Sequence, residues 1–155
     1  MLGMRNYTKK YIDNCRKSIE SDLSTWRKLA AATKKLGAKE KAIGAAMEAF
    51  ETSYFNKMVL VLDHFFVHRL TGVEGKDGNP LNEVRILSNS IMYNNNILSA
   101  DNHYGIASQA GLTSIKLTPE KSILKYELGD EIKLKEADFV RLFKAFFAEI
   151  ERRYL

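Results

Sequence analysis

Apolar residues at positions 12, 15, 19, 23, 26 and 30 (Ile, Cys, Ile, Leu, Trp, Ala) recur at intervals of three and four, the spacing that lines one face of an amphipathic helix. The pattern predicts a helix over about 7–36, closed by Gly37, since glycine accepts the left-handed conformation that ends helices. A second helix is predicted over about 39–70, with Met47, Phe50, Tyr54, Met58, Val61, Phe65 and His68 on its main stripe. Phe55, Val59, Leu62 and Phe66 point another way, so residues 58–67 are apolar almost all round. A helix of that kind must be covered on more than one side, either at the centre of a bundle or in a homodimer interface.

Gly72 to Asn79 breaks the period, and Asn79-Pro80 restarts it. Asparagine is a favoured N-cap and proline a favoured first helical residue, which predicts a third helix from there to about Tyr93. Residues 97–112 keep no period and read as a long loop. From Thr113 the pattern switches to alternation. Ile115, Leu117, Leu124, Tyr126, Leu128, Ile132 and Leu134 face one way, and Lys116, Lys125, Glu127 and Lys133 the other. Period two with turns at Thr118-Pro119-Glu120-Lys121 and Gly129-Asp130 predicts a three-stranded antiparallel meander. A final helix over about 136–153, rich in phenylalanine, has the bulk to cover it. The expected fold class is α+β in a single domain spanning 1–155: a helical part, 1–93, and a meander with its helix, 113–155.

Composition adds limits. With 155 residues and 45% hydrophobic content the chain can bury a core of its own. The lone Cys15, on the buried stripe of the first helix, excludes an intramolecular disulfide, and the N-terminus lacks the apolar run of a secretory signal. The most apolar stretch, Met58 to Val67, is too short and too polar to cross a bilayer, so a cytoplasmic protein without membrane insertion is expected. Charge is uneven: residues 1–41 carry eleven Lys or Arg against four Asp or Glu, a net +7, and the rest is −2. Such a segment could attract a nucleic-acid backbone, or it could be a solvated helix face whose lysines pair with Asp13, Glu20, Asp22 and Glu40.

Two constellations carry candidate chemistry. His64 and His68 are four residues apart, the spacing at which two helical side chains can share a divalent metal ion. Phe65 stands where a metalloprotease motif needs glutamate. Further ligands would come from Glu48, Glu51, Glu83, Asp101 or His103. At about 100° per residue His68 falls on the axis of the buried stripe and His64 at its shoulder, so the alternative is a buried, hydrogen-bonded His68 beside a partly exposed His64. The second constellation is GVEGKDGNP, which feeds the third helix where free N–H groups favour an anion. Arg69, Lys76, Asn79 and Arg85 belong to that candidate ligand site, with Glu83 as a possible carboxylate. The alternative is a plain helix-to-helix turn in which Glu74 and Asp77 neutralise the basic residues. The ion in either case would be a small anionic ligand or a divalent metal; nothing in the sequence requires a cofactor.

The block FFVHRLTGVEGKDGNPLNEVR and the ending FFAEIERRYL resemble a group of small bacterial proteins, over the chain from about residue 50 onward. The resemblance implies a bacterial cytoplasmic setting and no activity. Three functions remain open on the sequence. The first is a non-catalytic, self-associating binding or scaffold domain. The second is a metal- or anion-dependent enzyme with His64 or His68 as ligand or base and Arg69 and Arg85 holding the anionic group. The third is nucleic-acid binding through the basic N-terminal helix.

Overall fold

A computed structural model describes residues 3–37, 40–99 and 117–155. Its elements are five helices: α1 Lys9–Lys35, α2 Lys41–Phe65, α3 Thr71–Glu74, α4 Pro80–Tyr93 and α5 Glu136–Tyr154. Three of the four long helices fall close to where the periodicity puts them, because their signals are local. Thr8 caps α1 by accepting the Tyr11 N–H, and Gly37 closes it at φ +76°. Asn79 caps α4 with its side-chain oxygen on the N–H groups of Leu81 and Asn82, at 3.0 and 3.3 Å.

Helix α2 is the centre of the bundle, touching α1, α4 and α5. Phe55, Met58, Val59, Leu62 and Phe66 are buried within one hydrophobic cluster, together with Ile12, Ile19 and Trp26 of α1 and Leu81, Val84 and Leu87 of α4. From α5, Phe139, Leu142, Phe143, Phe146, Phe147 and Ile150 complete it. The all-round apolar stretch of α2 is therefore covered within the chain. Only Val61 and Val67 of its large aliphatic side chains remain exposed.

The expected α+β class is wrong, and the chain is mainly helical. Among the described residues there is no sheet: the only pairings are single bridges, Met4 with Arg69 and Ile97 with Glu131. Residues 117–134 instead form an irregular strap fastened by side chains. Glu83 of α4 accepts the N–H groups of Ile123 and Leu124 at 2.7 and 2.9 Å. Asn56 of α2 donates to the Ile132 carbonyl at 2.8 Å and accepts the Leu134 N–H at 3.1 Å. Lys125 stands at φ +63°, which breaks an extended run, and Leu128 is 65% exposed, so the alternating pattern does not correspond to one buried face. Helices use buried polar side chains here where a sheet would use partner strands. The earlier part of the expected meander, Thr113, Ile115 and Lys116, lies outside the described residues, as does most of the expected 97–112 loop.

The ends of α1 and α2 leave the body. Along α1 burial stops at Trp26, and along α2 it resumes at Phe55; no described side chain between them is buried. Helix α5 begins at the level of Arg27 and Glu51, since Glu136 pairs with Arg27 and its N–H donates to Glu51 at 3.2 Å. Beyond that level, among the described residues, α1 and α2 continue without a third helix as a two-helix arm about 15 Å long, from the rise of a helix per residue.

Candidate functional site

The turn after α2 is where the sequence concentrates candidate ligands, and its geometry follows from an early helix end. Helix α2 stops at Phe65 rather than near 70, and residues 66–68 turn. His68 therefore leaves the helical phase that would have placed it in the core, and both His64 and His68 are exposed. Among the described residues no group of three or more His, Cys, Asp or Glu is placed to hold a metal ion. Asp101 and His103 lie outside the described residues.

Arg69 goes the other way. Its side chain is fully buried, with Nη2 on Asp63 at 2.8 Å, Nη1 on the Phe66 carbonyl at 3.0 Å and the guanidinium over the Phe146 ring. Its Nε lies 3.2 Å from Glu74 Oε1, an ion-pair contact whose N–H is not aligned for a hydrogen bond. Glu74, the last residue of α3 and also buried, takes Arg85 in a two-pronged contact, Nη2 at 2.7 Å and Nε at 3.2 Å. Burial works against the Arg85 charge, but the Glu74 hydrogen bond and charge outweigh it, and its pKa is raised. Two arginines thus share one buried carboxylate, with Asp63 as a second anion, and the cluster needs no exogenous anion for neutrality.

The GKDGNP turn is equally engaged. Asn79 donates to the Glu74 carbonyl and the Asp77 carboxylate, both at 2.9 Å, while capping α4. Asn82 donates to the carbonyls of Gly75 and Asp77 at 3.1 and 2.6 Å. The Asn79 hydrogen bond, with Arg153 nearby, holds Asp77 below the usual carboxylate range. Gly75, at φ +78°, lets the Arg153 and Asp77 side chains approach to 2.9 Å from where a Cβ would stand. An anion at the α4 N-terminus would meet the Asn79 cap and the Asp77 charge first. Lys76 is exposed and outside the cluster.

Of the seven candidate residues the structure brings together Arg69, Asn79 and Arg85, around Glu74. Glu83 faces the opposite way, towards the strap, where burial raises its pKa and the two N–H groups it accepts pull it back only in part. Sequence reasoning missed Asp63, Arg153, Asn56 and the tyrosines of this region. Tyr154 donates to the Leu70 carbonyl at 3.0 Å and its pKa is pushed up to about 12, by burial first and then by Glu74. Tyr7 packs against Phe66 and Tyr154, its buried hydroxyl without a hydrogen-bond partner among the described residues. A signal was present for Asn56, a lone amide on an apolar helix face. None was present for Tyr154, whose role depends on the chain's two ends meeting.

A different concavity lies at the arm. Trp26, Ala30, Ile43, Gly44 and Met47 floor a groove of about 470 Å³ between α1 and α2, rimmed by Glu40, Glu48, Glu51 and Glu136 against Lys34. Trp26 stacks on Tyr54 with ring centroids 5.6 Å apart and touches Phe50 and Phe55. No helix among the described residues is long and apolar enough to cross a membrane. No protein family, curated protein or solved structure matches the chain.

Proposed function

We propose that this chain is a non-catalytic helical interaction module that associates with itself. One contrast carries the reading. Arg69, Glu74, Asn79 and Arg85 at the α2–α4 junction are tied into the fold, and the exposed His64 and His68 stand apart from them, whereas the arm keeps large apolar side chains in water. Leu29, Leu36 and Phe50 are 46%, 58% and 47% exposed. Leu36, the C-cap residue of α1, keeps helical backbone angles and stands seven residues after Leu29, so the two lie on one flank. Contiguous exposed apolar patches mark association surfaces, and the apolar side chains of the arm are read as such a patch. The stretch of α2 that first suggests a dimer is covered by the chain's own helices, so the arm takes its place in this reading.

Light scattering of the purified protein tests it. The expected result is a dimer at tens of micromolar, weakened by Leu29→Glu with Leu36→Glu while helicity is kept. A monomer throughout that range would overturn it. A melting-temperature rise with divalent metals or with phosphorylated or carboxylate metabolites would instead favour a ligand-dependent enzyme.

A further inference from the structure

We propose that the groove between the arm helices takes a basic amphipathic helix of a partner protein. The inference rests on the reading of the chain as an interaction module and specifies one partner's chemistry. Three observations support it. The groove prolongs the line of α5: Glu136, the first residue of α5, closes one end, and α1 and α2 run on past it as the two walls. A helix laid there would supply the layer that α5 supplies to the body, the helix-in-groove mode of recognition. The floor has room as well as apolar character. A Cβ built on Gly44 meets nothing within 4 Å, and Ile43 and Met47 are only half-buried.

The rim then selects the sign of the occupant. Four glutamates face one lysine, and two of the four are only weakly neutralised. Glu51 pairs with Lys135 at 3.2 Å and Glu136 with Arg27, whereas Glu48 has Lys135 only at 3.8 Å, and no described ion pair takes Glu40. The positive end of α5 does not reverse this preference, because Glu51 already accepts the Glu136 N–H and Asp138 accepts the Lys135 N–H. Lysines flanking an aliphatic stripe would meet Glu40 and Glu48 while the stripe lies on Trp26, Ile43 and Met47.

Trp26 is the chain's only tryptophan, so its emission reports the groove directly. The probe is a synthetic amphipathic helix of leucine and lysine. Its controls are a leucine–glutamate peptide of the same pattern and a glycine–lysine peptide of the same charge. The leucine–lysine peptide is expected to change Trp26 emission saturably, with affinity falling as salt rises. The double variant Glu40→Lys, Glu48→Lys is expected to cut affinity about tenfold or more, consistent with loss of charge complementarity. Gly44→Leu is expected to cut it by filling the floor. No response, an equal response to either control, or an affinity unchanged in the double variant would overturn the proposal. If the double variant instead converts a wild-type dimer to monomer, the groove holds a second copy and the proposal also falls. A groove that ignores the peptide in a protein that still dimerises would sink this inference and leave the association reading standing.

Discussion

Glu74 sits between the guanidinium groups of Arg69 and Arg85 with only 1% of its surface in solvent. Its replacement by glutamine leaves Arg69 fully buried with Asp63 as its only carboxylate. Breaking a buried pair in this way costs about 3–5 kcal/mol, so Glu74→Gln should lower unfolding free energy by that order in a denaturant titration. A cost below about 1 kcal/mol, the range of an exposed pair, would mean that the cluster does not fasten the junction. Glu83 gives a test of opposite sign. Its folded pKa lies above its unfolded one, so its contribution is full below the ordinary glutamate range and is lost as pH rises through the raised value. Measured against Glu83→Gln, the wild type should lose relative stability as pH climbs through that window; a gain would contradict the shift. Much at this scale was legible because it is local. Asn79-Pro80 announces its own cap. Of the alternative in which Glu74 and Asp77 neutralise the basic residues, the Glu74 half is met, by Arg69 and Arg85, whereas Asp77 pairs with Arg153 and Asp63 takes its place on Arg69. His68 was misplaced for a single reason: helical phase was extended past Phe65, where the helix has already ended.

At the scale of elements, the long helices follow from period and caps, and the strap over 117–134 does not. Alternation describes a strand only where a neighbouring strand takes the backbone hydrogen bonds. Here the helices supply them through Glu83 and Asn56, at separations of 40 to 78 residues that no local pattern encodes. Asn56→Ala should accordingly leave the Ile132 carbonyl and the Leu134 N–H buried and unpaired, at a cost of about 1–3 kcal/mol. Hydrogen exchange would show it as faster exchange of the Leu134 amide, with little change along α1. Protection unchanged at Leu134 would mean that packing of Ile132 and Leu134, both buried, holds the strap without the amide.

For the whole molecule, the apolar excess of α2 leaves two alternatives open, a bundle centre or a homodimer interface, and α2 is the centre of the bundle. The phenylalanines of α5, expected over a meander, pack against α2 instead. The arm was not legible, because a stripe of alternating burial looks the same whether a third helix covers it or not. What α1 and α2 present past the start of α5 depends on where α5 begins in space, and that is set by Arg27, Glu51 and Glu136. In the proposed reading the association surface lies on the arm, and the junction is a structural fastening. Amide hydrogen exchange compared between dilute and concentrated protein tests this most directly. Protection should rise with concentration over 27–36 and 41–50 and stay constant across α4 and α5; protection that is independent of concentration in the arm would contradict it.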